Sequence, residues 1–318
     1  MDKLIDPNQK VISFDSNDHY LPPDLIPQAF DLLIKHQFVE ELSLYRQPKL
    51  NQPYLVKLLV NVIQSNPRIK ILRLDDNLIV VEGAQILAEM IENNTTLEQF
   101  LTYNQRFGNQ GTVILAQALE KNQTIRKFSL GLDKLTDQSG YALAKMLRIN
   151  QSLNSFKIAY CKFSVKCLTE IIETLSNHRL REFITYNSDS TSRTNRPDYF
   201  EYYLKLNKIL EDNLTLTTLQ DNQLSIKLGS STTSMQTHHN CPTRPLKESI
   251  FTRVRRNQRL FKFSEVILPL FEGLRSIFQQ NTLLYLKLSQ YLLDDYHPLD
   301  QLYQAKHLNS LFVDRMKN

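Results

Sequence analysis

The sequence predicts an α/β solenoid: one strand-plus-helix unit repeated along the chain, its strands forming a parallel sheet and its helices a second layer. Three observations carry that prediction. Between Asn66 and Phe156 one pattern recurs at a fixed spacing of 28 residues, as Ile69-Lys-Ile-Leu72-Arg-Leu74, Leu97-Glu-Gln-Phe100-Leu-Thr102 and Ile125-Arg-Lys-Phe128-Ser-Leu130, with a fourth copy opening at Leu153-Asn-Ser-Phe156-Lys-Ile158. Each of the first three is followed by a helical segment: Leu87-Ala-Glu-Met-Ile91, Leu115-Ala-Gln-Ala-Leu119 and Leu143-Ala-Lys-Met-Leu147. Within the strands apolar residues alternate with variable ones, which buries one face and leaves the other free. A unit of this length cannot bury its apolar face alone, so copies must stack.

Taken in order, the frame opens at Ile12-Ser-Phe14 and Val39-Glu-Glu-Leu42-Ser-Leu44. Pro22-Pro-Asp24 starts a helix running through Phe30, Leu33 and Ile34, and Pro53 starts one carrying Leu55, Leu58, Leu59 and Ile63. Proline suits a first helical turn, where its missing N–H has no intrahelical partner to lose. Beyond the regular copies the frame continues at Leu180-Arg-Glu-Phe183, Leu216-Thr-Thr-Leu219, Leu260-Phe-Lys-Phe263, Leu283-Leu-Tyr-Leu286-Lys-Leu288 and Leu308-Asn-Ser-Leu311-Phe-Val313. The expectation is a single domain over residues 1–318 with about ten to eleven units, broken by polar loop insertions near 187–198 and 225–245. An asparagine stands three residues before the first apolar residue of many units, at Asn66, Asn94, Asn122, Asn150, Asn177, Asn213 and Asn257. Its place after the helix predicts a left-handed helix-ending turn. The glycosylation sequons at Asn94, Asn122, Asn150 and Asn213 follow from the repeat itself, which puts Thr or Ser two residues on.

These residues resemble the leucine-rich repeats of the ribonuclease-inhibitor type, which read L-x-x-L-x-L-x-x-N and then a helix with L-A-x-x-L. The resemblance implies a horseshoe with a parallel sheet on the concave face and helices on the convex face. The family's ninth-position Asn or Cys falls on Asn17, Gln47, Asn77, Gln105, Asp133, Cys161 and Ser188, with strict matches at Asn17, Asn77 and Cys161. The hydrogen-bonded turn of the family is therefore expected at those three. The polar, lysine-rich units of irregular length and the few glycines also resemble leucine-rich-repeat effectors of intracellular bacterial pathogens. That implies action on a host protein after delivery to the host cytosol. A further resemblance is to the actin-capping tropomodulins, whose terminal repeats also read N-x-[TS]-L.

The 318 residues are 42% hydrophobic and 22% charged, the balance of a folded chain, and three cysteines make no disulfide framework. With no signal-like apolar run near Met1, a cytoplasmic site of action is expected. No phosphate-binding glycine loop occurs. His238-His-Asn-Cys241 lacks a second ligand pair for zinc, and Cys161 and Cys167 read as buried spacers. The expectation is a protein without catalytic activity, metal or other cofactor, and without a small-molecule substrate. Arg244, Lys247, Arg253, Arg255, Arg256, Arg259 and Lys262, opposed by Glu248, form the densest basic cluster. It reads as a solvated helix face or, alternatively, as a contact for nucleic acid or an anionic membrane surface. Nucleic acid is disfavoured because few aromatic residues are available to stack bases.

The free side of the strands is the candidate site. Alternate positions give Glu41, Ser43 and Tyr45; Ile71, Arg73 and Asp75; Gln99, Leu101 and Tyr103; Lys127 and Ser129; Lys157 with Tyr160 at the turn; Ile184 and Tyr186; and Gln220 and Asn222. Tyrosine and arginine are enriched in binding hot spots, each combining large area with a polar tip. Tyr45, Arg73, Leu101, Tyr103, Lys127, Lys157, Tyr160, Ile184 and Tyr186 are accordingly expected to bind a protein partner, and the net charge of +5 favours an acidic surface on it.

Overall fold

A computed structural model describes residues 9–15, 21–35, 38–131, 135–176, 180–187, 197–213, 215–220, 224–226, 234–235 and 244–262. The chain divides into two compact units, Met1–Phe261 and Lys262–Asn318. The repeats expected at Leu283 and Leu308 lie outside the described residues.

In the first unit strands and helices alternate: β1 (Val11–Asp15), α1 (Ile26–Lys35), β2 (Glu41–Tyr45), α2 (Pro53–Ser65), β3 (Ile71–Arg73), α3 (Val81–Asn93), β4 (Gln99–Leu101), α4 (Gly108–Lys121) and β5 (Lys127–Gly131). There follow α5 (Asp137–Ile149), β6 (Ser155–Cys161), α6 (Val165–Glu173), β7 (Glu182–Asn187), α7 (Pro197–Asp212) and β8 (Thr218–Gln220). Strands β1 to β8 lie in chain order and pair in parallel, in a register that matches the repeat frame: Leu42 faces Leu72, Leu72 faces Phe100, and Phe100 faces Phe128. Sequential parallel strands joined by crossovers of one hand place every helix on the same side of the sheet. The result is a leucine-rich-repeat α/β solenoid, with one sheet face packed under helices and the other not.

The helix side holds the core. Leu74, Leu130 and Ile158 are fully buried, as the frame requires. Phe100, Phe128, Phe156 and Phe183 occupy one position of successive units and form a stacked file, with neighbouring ring centroids 6.0, 6.2 and 6.3 Å apart. Offset stacking of this kind adds to the stabilisation from area burial alone. Prolines 23 and 53 stand in first helical turns as expected, the former in a short 3-10 turn leading into α1. On the outer side Lys121 pairs with Glu92 at 2.6 Å and Lys145 with Glu120 at 2.9 Å, joining neighbouring helices.

The asparagine column works differently from the expected left-handed turn. Asn94, Asn122 and Asn150 have extended backbones, with φ of −80°, −72° and −73°. Their side chains do the joining. Asn150 Nδ2 donates to the carbonyls of Leu119 and Asn122 in the preceding unit, while its Oδ1 accepts from the backbone N–H of Ser152 and Leu153 in its own. Asn122 repeats this toward Ile91 and Asn94, and Asn213 toward Leu175. Asn177 lies outside the described residues.

A second ladder runs through the ninth position and extends beyond its strict matches. Asn77 donates to the Leu44 carbonyl and accepts from Gln47 N–H. Gln47 and Gln105 fill the same place, Gln105 donating to the carbonyls of Leu74 and Tyr103 and accepting from Ile79 N–H. One extra methylene still reaches those carbonyls. Asn17, Asp133 and Ser188 are outside the described residues.

Two further expectations are corrected. The 225–245 insertion is not all loop, because β9 (Leu224–Ile226) and β10 (Ser234–Met235) continue the sheet in antiparallel fashion after β8. The unit expected to open at Leu260 does not form a strand there: residues 260–262 are the last turn of α8 (Arg244–Lys262). Asn257 nevertheless keeps its ladder role from within that helix, donating to the carbonyls of Asn213 and Leu216.

Candidate functional site

The sheet face away from the helices changes character along the array. In β2 the alternation is clean, with Leu42 and Leu44 buried and Glu41, Ser43 and Tyr45 partly open. From β4 to β7 small residues line this face, and Ser129, Ser155 and Ala159 are buried beneath larger neighbours. Leu101 and Ile184 are corrected here: at 5% and 9% exposed they belong to this covered floor and present no free surface. At Gly131 a Cβ would come within 2.5 Å of the Ala159 carbonyl oxygen and 3.1 Å of Tyr103 Cε2. Glycine there lets the Tyr103 ring lie down over the adjacent strand.

Strand exits are the feature that sequence reading missed. Arg46, Asp76, Asn104 and Tyr160 stand in corresponding positions of their repeats, where the regular strand pairing breaks or has just ended, and all are left-handed, with φ of 52°, 60°, 53° and 58°. The signal was present in part, since Asp and Asn tolerate this conformation better than other side chains. Three of these residues are tied to one another. Asp76 accepts from Arg46 Nε at 3.4 Å and from Asn104 Nδ2. It also accepts from the Tyr45 hydroxyl, a bond that raises the pKa of that phenol, with burial and the Asp76 charge adding to the effect. The Arg46 guanidinium stands 4.8 Å from the centre of the Tyr45 ring.

Tyr160 differs. It is the extra residue where the β6–β7 register shifts between Ala159 and Cys161, and it is 51% exposed. A bulge of this kind re-aims a side chain, and here it inserts a ring between those of Tyr103 and Tyr186. Tyr103 meets it edge-on at 6.4 Å, and Tyr186 stacks on it at 6.3 Å. Lys157 Nζ stands 5.2 Å from the centre of the Tyr103 ring. Burial pushes the Tyr103 phenol well above its ordinary pKa, with Tyr160, Cys161, Tyr186 and Asp75 pushing the same way. The phenol stays protonated at any physiological pH.

The structure thus gathers four of the expected site residues, Tyr103, Lys157, Tyr160 and Tyr186, into one patch. Arg73 is tied to Glu41 at 2.6 Å, and Lys127 lies 3.6 Å from Glu182, which also accepts from Ser155. Asp75, at the exit of β3, has its carboxyl raised to about 6, by burial first; Arg73 and Lys157 partly offset this, and Asp76 adds to it.

The basic cluster is not a solvated helix face at its described positions. Arg253 donates to Asn207 and pairs with Glu211 at 3.0 Å. Arg256 donates to the carbonyls of Leu210, Glu211 and Asn213, which terminate α7, and Arg255 lies over the Phe251 ring. Side chains that close a helix end in this way are engaged within the fold. Cys161 and Cys167 are buried, as expected of spacers, and burial together with Asp137 pushes the Cys167 thiol up to about 12. His238, His239 and Cys241 lie outside the described residues. Among the described residues no group of three His, Cys, Asp or Glu could hold a metal ion, and no helix is long and apolar enough to cross a membrane.

No protein-family model matches the sequence, and no curated protein does. Among solved structures the chain is similar to a tropomodulin C-terminal domain from Caenorhabditis elegans, at 16% identity over 58% of this chain and 99% of that one, with a TM-score of 0.43. It is also similar to the leiomodin-1 actin-binding site 2 structure, at 18% identity over 56% of this chain and 92% of that one, with a TM-score of 0.42.

Proposed function

We propose that the protein is a noncatalytic scaffold that binds a protein partner on the open sheet face, through Tyr103, Tyr160 and Tyr186 with Lys157 beside them. The observation that carries this is the backbone of Tyr160. A left-handed conformation costs a bulky residue about 1–3 kcal/mol; of the equivalent exits, Asp76 and Asn104 use residue types that adopt it readily, and Arg46 is held there by its ion pair with Asp76. Burial does not offset the cost, because half of the Tyr160 side chain faces solvent. A strained, half-exposed tyrosine between two others is what a binding hot spot requires, a large rigid area with polar tips.

The resemblance of the repeats to bacterial effectors makes a host protein the partner class to search first, and the tropomodulin-like reading adds actin. The test is affinity capture from a eukaryotic lysate, with purified actin assayed separately. Tyr160→Gly is the informative variant, since it relieves the backbone while removing the ring. Its thermal midpoint should be equal to or above that of the unaltered chain, while the captured partner binds roughly 30-fold more weakly, the ~2 kcal/mol of a hot spot. Glu89→Ala on α3 should leave capture unchanged. A partner whose retention ignores Tyr160 and Tyr186 but needs the insertions near 187–198 or 225–245 would overturn this reading.

A further inference from the structure

Resting on that reading of the face, we propose that the partner element seated on Tyr103, Tyr160 and Tyr186 is an acidic segment whose carboxylate meets Lys157, with Asp75 as the built-in opponent of that contact. The charges of the face sort into pairs and a remainder. Glu41 is matched by Arg73 and Glu182 by Lys127. Among the described residues what remains is Lys157 and Asp75. Among the described residues no carboxylate lies within ion-pair distance of Lys157, whose ammonium instead rests against the Tyr103 ring. A cation held at a ring face keeps its outer side available, and desolvation by a covering partner strengthens its attraction for an anion. A partner carboxylate placed there would be flanked by rings that exclude water, the arrangement in which a charged contact discriminates best.

Asp75 works against that contact. The charged groups acting on it are Arg73 at the end of β3, Asp76 next in the chain and Lys157 from β6; Tyr103, just past β4, stays neutral, and Tyr45 and Arg46 from the β2 side engage Asp76. With its carboxyl at about 6, Asp75 is anionic at pH 7.5 and repels an incoming acid, and is half neutral near pH 6. A partner that covers the face desolvates Asp75 further, so binding takes up a proton. An acidic segment therefore binds more tightly as the pH falls from 7.5 to 6.0, a window in which its own glutamates stay ionised. A basic segment would show the opposite sign.

The probes are two rhodamine-labelled synthetic copolymers, glutamate–tyrosine and lysine–tyrosine, titrated by fluorescence anisotropy at low salt with the full chain. The expected result is binding of the glutamate copolymer that tightens several-fold between pH 7.5 and 6.0. Asp75→Asn should bind at pH 7.5 at least as tightly as the unaltered chain does at pH 6.0, where Asp75 is half neutral, and lose the pH dependence. Lys157→Gln should weaken binding about tenfold or more, with circular dichroism confirming that both variants fold. Failure of the glutamate copolymer to bind, indifference to Lys157→Gln, or tightening as the pH rises would overturn the proposal. If the lysine copolymer binds instead and Tyr160→Gly abolishes it, the face remains the site and only the acidic partner is refuted. If the glutamate copolymer binds Tyr160→Gly and Tyr186→Ala undiminished, the face reading fails and takes the proposal with it.

Discussion

Replacing Asn150 by Ala removes from one fully buried position two bonds that hold a unit to its predecessor and two that fix the turn of its own unit. Two carbonyls, of Leu119 and Asn122, lose donors at 2.7 and 2.8 Å, and two amides, of Ser152 and Leu153, lose an acceptor at 2.9 Å. A buried backbone group left without a partner costs about 1–3 kcal/mol, and water entering the vacated space recovers part of that, so the four together should cost about 3–5 kcal/mol. The measurement is urea unfolding followed by far-ultraviolet circular dichroism, with Asn93→Ala as control, because Asn93 is exposed and bonds one carbonyl of its own helix. The control should shift stability by less than ~0.5 kcal/mol. Asn150→Asp tests the donor separately, since it keeps the acceptor but turns an oxygen toward two carbonyls; it should be at least as damaging at neutral pH. A loss below about 1 kcal/mol for Asn150→Ala would show that the ladder decorates the stack without holding it.

Other outcomes follow from the same structure. Leu130→Ala, at a fully buried position, should cost about 2–5 kcal/mol in the same unfolding assay. Arg256→Ala should destabilise by about 1–3 kcal/mol, because it strips charge-assisted donors from the carbonyls that end α7, whereas Arg255→Ala should change stability by about 1 kcal/mol or less. Asp75 gives a pH-dependent sign: the folded chain holds its proton up to about 6, against 3.8 ordinarily, so its carboxyl weakens the fold progressively as the pH rises through that interval. The melting temperature of Asp75→Asn should therefore match that of the unaltered chain near pH 4 and exceed it above pH 7; a gap that closes with rising pH would show that burial is not the cause.

The strand frame was legible because the 28-residue period and the alternation of apolar residues both follow from burial, and burial acts on every copy alike. Leu42, Leu72, Phe100, Phe128, Phe156 and Phe183 are in register as their spacing implied. The asparagine column was visible, but its chemistry was misread. A residue type that tolerates a left-handed turn also carries both a donor and an acceptor, and stacking makes the second property decisive. At the site, periodicity placed Tyr103, Lys157 and Tyr186 on one face. It could not show that Leu101 and Ile184 would be roofed over, since their covering comes from side chains of neighbouring units. Nor could alternation reveal the bulge at Tyr160, an extra residue that interrupts the alternation itself. The end of the array was misjudged where Leu260 satisfied the pattern of a strand while Val254, Asn257 and Gln258 were being buried on the period of a helix.

The asparagine ladder also bears on sugar attachment. Asn122, Asn150 and Asn213 each head an N-x-Thr or N-x-Ser triplet, and in each the amide nitrogen that a glycosyl transferase would modify is a donor to a carbonyl inside the stack. The hydroxyl residue is drawn in as well, Ser152 donating to the Ile125 carbonyl and Thr215 to that of Leu180. A glycan and a rung therefore exclude one another. Were the chain to pass through a glycosylating compartment, attachment would be confined to the interval before neighbouring units close, and every molecule so marked would lack a joint between two repeats. Sugar occupancy at these three asparagines would then record which molecules had not folded in time.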